Sequence, residues 1–274
     1  MPKEKVEKRG IFMIYVKKEK LEKCNLNKEN MYVIMDFDGT ITKHTKVDSW
    51  DVAGDSLSEN FKNELVNLYD TYRPIEIDYN ISYEEKKKKM EEWYTKCMYL
   101  YYKYNLKKSN LQSSVVNCKM LFRDGVKEFL NDMNKSNVPV IILSAGIGNV
   151  IEEFLKNNNC YYKNIYILSN FIEFDYDGNM KEFDGKIIYT MNKKLDINEL
   201  EEFSNKLQGR YNKLLFGDLI EDKNMIDKSE WSSTISVGFL ENNIENIDFY
   251  KDAFDIVLTE EDTNYNEIEK IINI

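Results

Sequence analysis

The sequence has a single histidine, His44, in 274 residues. That excludes zinc sites built on several histidines, and a Ser-His-Asp triad would have to use this one side chain. Its four cysteines, Cys24, Cys97, Cys118 and Cys160, are scattered and form no C-x-x-C pair. A zinc knuckle or redox motif is therefore not expected, and free thiols in a reducing cytoplasm are. No apolar run approaches the roughly 20 residues that cross a bilayer. The longest early run, residues 11–16, has basic flanks and no small-residue cleavage site, so no signal peptide is expected. Positive charge is also short: 38 Lys and Arg against 48 Asp and Glu give a net charge of −10. Such a balance argues against a nucleic-acid polymer or an anionic membrane as partner. Any catalysis has to rest on carboxylates, lysines and a hard metal.

What is present is a folding sequence. Apolar residues make up 42% and aromatic residues 13%, well above disordered chains. The length fits two domains, or one large domain with an insertion, and suffices for a real core. Residues 1–30 are rich in Lys and Glu around one short apolar stretch. They read as an N-terminal extension of unknown role, either an added edge strand or a loosely attached tail. Short continuous apolar runs then recur at 32–35, 138–143, 165–168, 213–216, 234–237 and 256–258, as in strands buried on both faces. Helical patterns lie between most of them, at 126–133, 150–155, 197–207 and 264–272. This alternation predicts an α/β fold with a doubly wound parallel sheet.

Two stretches break the alternation. Residues 45–122 are helical in pattern, with Phe61, Leu65 and Leu68 in 58–72 and Met90, Trp93, Tyr94, Cys97 and Tyr101 in 83–104 at helical spacing. They read as a helical cap inserted into a core made of residues 31–44 and 123–274. Residues 171–189 carry Asp177-Gly178, a hairpin signal. The run Lys86-Lys87-Lys88-Lys89 reads as a solvated helix face.

The chemistry concentrates where apolar runs end. In Asp36-Phe37-Asp38-Gly39-Thr40 the two carboxylates, two apart, can converge above the carboxyl edge of the sheet, where open α/β folds bind ligands. Close carboxylates repel, so they need a cation or a proton. Either solution suits phosphoryl transfer, with one Asp attacking phosphorus and its neighbour managing the leaving-group proton. Read alone, the same residues are also common turn formers. Ser144-Ala145-Gly146-Ile147-Gly148 combines a hydroxyl with exposed amides before a helix, a phosphate cradle. Asp218 is placed to bind a metal beside Asp36. Asp222 could bind it through water, orient a lysine or cap the next helix. Carboxylates without histidines select a hard ion, and Mg²⁺ suits a phosphate best. Lys193 and Lys186 are the candidate cations for the phosphate.

These three elements, in this order, resemble the haloacid dehalogenase superfamily of Mg²⁺-dependent phosphohydrolases. Tyr72-Arg73-Pro74-Ile75-Glu76-Ile77-Asp78, Glu92-Trp93-Tyr94-Thr95-Lys96, Phe122-Arg123-Asp124-Gly125, Leu168-Ser169-Asn170-Phe171, Phe174-Asp175 and Asn192-Lys193 make the match more specific. With them the chain, from about residue 31 onward, resembles the type III cytosolic (pyrimidine) 5′-nucleotidase family. The resemblance implies Asp36 as nucleophile and metal ligand, and Asp38 as general acid/base with its backbone carbonyl on the metal. It implies Asp218 and Asp222 as the remaining metal ligands, and Ser144, Ala145 and Lys193 at the phosphate. Glu76 would recognise the nucleobase, with Trp93 and Tyr94 either near the base or in a buried helix face. Cys97 stands where a family member carries a substrate-contacting Ser; a thiol is a weak hydrogen-bond partner, so base or sugar preference is open. Lys43, His44, Ser49 and Trp50 are further candidates to face substrate.

The expectation is a cytoplasmic, monomeric Mg²⁺-dependent 5′-nucleotidase that hydrolyses nucleoside 5′-monophosphates, pyrimidine ones first, through an aspartyl-phosphate. The competing readings are a capped phosphatase for another small phosphoester such as phosphoserine, a nucleoside phosphotransferase, and a non-catalytic nucleotide-binding module.

Overall fold

The computed structural model describes residues 4–9, 12–45, 47–78, 80–195, 205–241, 244–259 and 265–274, with side chains from residue 14 onward. Eight strands, β1 (Glu4–Arg9), β2 (Phe12–Lys17), β3 (Met31–Met35), β4 (Val140–Ile147), β5 (Ile165–Asn170), β6 (Asn212–Gly217), β7 (Thr234–Leu240) and β8 (Ile256–Thr259), form one sheet in the order β1-β2-β8-β7-β6-β3-β4-β5. Strands β3 to β8 are parallel, as the apolar runs predict. The first two form an antiparallel hairpin that joins the sheet through β2 and β8. The extension thus adds strands at the border of the sheet, with β1 outermost and β2 between it and β8.

Period-two alternation divides the sheet between two cores. Val33 and Met35 point into the larger one, while Tyr32 and Ile34 point into the smaller one with Leu143, Leu215 and Phe254. The helices are α1 (Lys18–Lys23), α2 (Ser49–Gly54), α3 (Glu59–Ile77), α4 (Tyr83–Lys103), α5 (Lys108–Asn117), α6 (Val126–Lys135), α7 (Gly148–Asn157), α8 (Ile247–Ala253) and α9 (Tyr265–Ile272). In α6 the buried Val126, Phe129, Leu130 and Met133 recur at i, i+3, i+4 and i+7, the stripe that packs a helix on a sheet.

Four helices, α2 to α5, occupy the insertion. Its two ends meet at a neck: Thr42 and Phe122 form an isolated bridge, the Lys43 N–H donates to the Leu121 carbonyl at 2.8 Å, and the Arg123 N–H donates to the Ile41 carbonyl at 2.9 Å. Ser58 and Ser82 cap α3 and α4, each hydroxyl accepting a backbone N–H. The short turn between these helices makes them an antiparallel pair.

Several boundaries differ from the sequence reading. Strand β4 runs on through Ser144 to Ile147, past a register irregularity after Leu143, because it stays paired with β5 as far as Asn170. Helix α3 continues beyond Tyr72 and through Pro74 to Ile77. Pro74 removes the one ladder bond that its N–H would give the Asp70 carbonyl, and the helix ends three residues later. The Asp-Gly turn forms with Gly178 at φ +77°, yet its flanks make only the Phe174–Met180 bridge. Its tip is drawn instead to the α4–α5 connection, where the Lys108 N–H bonds the Gly178 carbonyl and the Met180 N–H bonds the Leu106 carbonyl. Of the helix expected over 197–207, residues 197–204 lie outside the described residues, and Asn205–Leu207 is a 3-10 turn.

One buried cation fixes the loop that leaves β3. The Arg123 guanidinium, stacked over the Phe239 ring at 4.1 Å, donates to the carbonyls of Gly39 (2.5 Å) and Thr40 (3.2 Å) and pairs with Glu241 at 2.6 Å. The Tyr265 hydroxyl donates to the same Thr40 carbonyl at 3.1 Å. Removing one partner of a buried ion pair leaves the other charge uncompensated. Arg123→Met is therefore expected to cost about 3–5 kcal/mol in urea unfolding, and a change under about 1 kcal/mol would show that the guanidinium does not hold this loop.

Candidate active site

The chain builds outward from β3 first to β4 and β5, then crosses to β6 on the other side. The β3/β6 junction is thus the point where strand order reverses, and at their carboxyl ends the sheet opens a crevice. Asp36 follows β3 directly, its N–H bonded to the Phe216 carbonyl of β6 at 3.1 Å. Asp218 and Asp222 follow β6. Among the described residues, Asp36, Asp218 and Asp222 bring carboxylate oxygens within 4.8 Å of one another. Gly39 sits at φ +81°, and a Cβ there would collide with the Asp218 carboxylate, so glycine is what lets the two loops close on each other.

Lys193 is the counter-ion of this cluster. Its ammonium is buried and lies 2.5 Å from Asp36 Oδ1 and 2.7 Å from Asp222 Oδ1. Burial alone would lower its pKa, but the Asp222 and Asp36 charges more than offset that and hold it protonated. The other Asp222 oxygen accepts the N–H groups of Asp218 (3.1 Å) and Leu219 (3.0 Å), so Asp222 fixes both the lysine and the Asp218 backbone. The Tyr250 hydroxyl of α8 donates to the Asp218 carbonyl at 2.5 Å. Burial pushes the Asp36 carboxyl up, opposed by Lys193, and pushes Asp218 well above the usual carboxylate range, reinforced by Asp36 and Asp222. Three carboxylates against one ammonium leave the rim short of positive charge.

Asp38 stands outside that trio. Its Oδ1 accepts the Ser49 N–H at 3.0 Å and its Oδ2 accepts the Ser49 hydroxyl at 2.5 Å. Ser49 opens α2, where Asp48 and Asp51 form a reciprocal cap, and its Oγ in turn accepts the Ile147 N–H at 3.2 Å. Burial, together with the Asp48 charge, raises the Asp38 carboxyl well above its usual range. A Cβ at Gly146 would strike both Ser49 Oγ and the Asp38 carboxylate, and Ser144 Oγ borders the same point. The Ser144 hydroxyl, buried, accepts the Gly146 N–H at 3.0 Å, and the Ala145 carbonyl accepts the Trp50 indole N–H (3.2 Å) and the Asn170 amide (2.9 Å).

The helical insertion contributes a second group. Glu76 is buried in the last turn of α3 and paired with Arg73. Its charge acts on Asp48, Tyr94 and Glu221, which places it at the seam between insertion and core. Trp93 stacks on Tyr72 at 5.9 Å with rings 10° apart and meets Tyr69 edge-on, inside the α3–α4 pair. Tyr94 reaches the seam, its ring 5.6 Å from Trp50 and 6.2 Å from Tyr189. The Cys97 thiol is buried, and burial with the Asp48 charge pushes it up to about 12, so it stays neutral.

Of the neighbouring candidates, Lys43 pairs with Asp124 at 3.2 Å, His44 and Lys186 are exposed, and only Lys193 of the two lysines reaches the carboxylates. Sequence reasoning gave no role to Arg123, Asn170 or Tyr250. Asn170 ties the end of β4 to the segment before Tyr189 by bonding the Ala145 carbonyl and both backbone groups of Ile188. Nothing in the local pattern marks Tyr250, since its partner is a distant carbonyl.

Comparison with known proteins agrees with this arrangement. The profile of the family described as pyrimidine 5′-nucleotidase (UMPH-1) matches residues 40–273. The 7-methylguanosine phosphate-specific 5′-nucleotidase of Homo sapiens is 33% identical over 244 residues, covering 86% of this chain and 81% of the relative. That of Drosophila melanogaster is 35% identical over 246 residues, covering 86% and 77%. Among solved structures, cytosolic 5′-nucleotidase IIIB bound to cytidine superposes with a TM-score of 0.80 at 30% identity, over 94% of this chain and 89% of that one. A substrate-bound phosphoserine phosphatase superposes with a TM-score of 0.60 at 16% identity, over 89% and 99%, a likeness of fold alone. The core is the doubly wound α/β core of haloacid dehalogenase-like phosphatases, and the activity is that of a 5′-nucleotidase, a phosphoric monoester hydrolase. The chain belongs to the pyrimidine 5′-nucleotidase (UMPH-1) family.

Proposed function

We propose that this 5′-nucleotidase hydrolyses nucleoside 5′-monophosphates through an aspartyl-phosphate on Asp36, with Mg²⁺ as cofactor. The observation that carries the reading is the convergence of Asp36, Lys193, Asp218 and Asp222 at the β3/β6 junction. An all-oxygen set with more negative than positive charge fits a hard divalent cation. Asp36, Asp218, Asp222 and the Asp38 backbone carbonyl would hold it. When bound, such an ion offsets charge on the phosphoryl oxygens.

The chain's own groups then do the following. Asp36 attacks phosphorus, and the bond to the ester oxygen breaks. Asp38, aimed by Ser49 and kept ready to carry a proton by its burial, protonates the departing 5′-oxygen. It next takes a proton from the water that cleaves the aspartyl-phosphate, which restores Asp36 and releases phosphate. Lys193, the Ser144 hydroxyl and the Ala145 backbone hold the phosphoryl oxygens. Residues 45–122 act as the cap that covers the nucleoside and excludes bulk water, on a core of 31–44 and 123–274.

Glu76 offers the base a buried carboxylate, an acceptor for ring N–H or amino groups. Two base classes meet that requirement: cytosine, as in the ligand of the structural match, and 7-methylguanine, as in the names of the curated relatives. Tyr94 and Trp50 are the aromatics at the seam, whereas Trp93 is engaged with Tyr72 and Cys97 lends little polarity. The cytosolic name of the structural match supports a cytoplasmic place. Among the described residues no helix is long and apolar enough to cross a membrane.

Phosphate release should be abolished by a chelator, restored by Mg²⁺, and faster with CMP, UMP or 7-methyl-GMP than with GMP. Faster release from phosphoserine than from any nucleotide would transfer the chain to the small-phosphoester phosphatases, and binding of nucleotide without release would make it a binding module. Asp36→Asn should keep the fold, read by its thermal melt, and lose all but a few per cent of turnover; a larger residue of activity removes Asp36 as nucleophile. For Glu76→Ala, kcat/KM on the preferred nucleotide should drop about 10–100-fold, the worth of a hydrogen bond to a charged group. p-Nitrophenyl phosphate, which has no base, should be nearly unaffected, and equal losses on both would dismiss base recognition.

A further inference from the structure

The four-lysine run at the start of α4 is not uniformly solvated. Lys88 is exposed and Lys89 pairs along the helix with Glu92, but Lys86 is buried and turns to the core, where its ammonium lies 3.3 Å from Glu221. Glu221 adjoins Asp222 on the 3-10 turn Ile220–Met225. The two acids point opposite ways, Asp222 to Lys193 and Glu221 to the insertion. One turn before Lys86, the Tyr83 hydroxyl donates to the Met191 carbonyl at 3.1 Å, two residues short of Lys193. The Leu195 N–H bonds the Met225 carbonyl at 2.8 Å, joining the two core loops to each other. The contacts close a ring: Tyr83, Met191, Lys193, Asp222, Glu221, Lys86 and back along α4.

We propose that the first turn of α4 is a positioning device for phosphoryl transfer, in which the Lys86–Glu221 ion pair and the Tyr83–Met191 hydrogen bond hold the Asp222 turn and the Lys193 loop in mutual register. Lys86, Glu221 and Tyr83 act through Lys193 and Asp222. The inference rests on the phosphoryl-transfer reading of those two residues. Its physical basis is that residues 193–195 carry no regular strand or helix and Asp222 sits on a short 3-10 turn, so their geometry depends on what they are tied to. A pair with side chains 5% and 14% exposed is desolvated enough to act as a tie. A seated insertion and an aligned lysine are then one mechanical state.

The test uses the full chain with Lys86→Met, Glu221→Gln, Tyr83→Phe, the neutral double variant and the exchanged pair Lys86→Glu/Glu221→Lys. Hydrogen exchange on the metal-free protein is expected to quicken about tenfold over 191–195 and 218–225 in Lys86→Met, and over 191–195 alone in Tyr83→Phe. With Mg²⁺, kcat in Lys86→Met and Glu221→Gln should fall about tenfold on both CMP and p-nitrophenyl phosphate, with KM for CMP little changed. The neutral double should be no worse than either single, and the exchanged pair should recover most of the loss. A loss confined to the KM of nucleotides, additive losses, no recovery on exchange, or unchanged amide exchange would each overturn the proposal. Should Lys86→Met fail to fold, Tyr83→Phe, which removes only a hydroxyl from a half-exposed ring, carries the exchange test. Turnover in the wild-type chain separates the two readings: none at all sinks the phosphoryl-transfer reading, whereas wild-type turnover with indifferent variants sinks only the positioning device.

Discussion

Everything at the sheet's carboxyl edge follows from electrostatic crowding. Strands β3 and β6 deliver carboxylates to the same buried spot, and like charges in a poorly solvated site cannot all ionise without counter-charge. One ammonium, Lys193, is shared between Asp36 and Asp222 and leaves the cluster under-compensated. A site in this condition favours whatever brings positive charge, and beside it burial and the Asp48 charge keep Asp38 inclined to hold a proton. The same imbalance would be a stability defect in a protein with no work for it, which is why strained acid clusters mark functional sites.

The rest of the core restrains these acids. Arg123 and Tyr265 grip the carbonyls of the Gly39–Thr40 loop from below, Asp222 grips the backbone of Asp218, and Tyr250 grips its carbonyl. These restraints come from four different segments of the chain, so no single loop can relax without loading the others. Preorganised groups of this kind lower the reorganisation needed when charge shifts within a site.

The parallel sheet was legible because buried strands leave continuous apolar runs, and the strand-end acids were legible because β3 and β6 place them by backbone geometry alone. Lys193 was harder: spacing alone offered Lys186 beside it, the Asn-Lys resemblance favoured Lys193, and the fold buries Lys193 while leaving Lys186 exposed. Lys86 was misread for a related reason. Composition describes four successive lysines alike, whereas the helical repeat turns one of them into the core. Trp93 and Cys97 show the converse difficulty, since spacing puts them on one helix face without saying whether that face meets Tyr72 or a ligand. Helix α3 outlasts Pro74 by less than one turn, a placement that local preference cannot distinguish from a stop.

The neck where Thr42 meets Phe122 carries an evolutionary implication. A helical unit whose entry and exit are adjacent can be replaced by another of different size without shifting β3 or its partners. Glu221 restricts that freedom, because a foreign unit lacking a cation opposite it would strand a half-buried acid next to the reaction centre. Helical units that this core can accept are therefore those that bring a lysine or arginine to that spot.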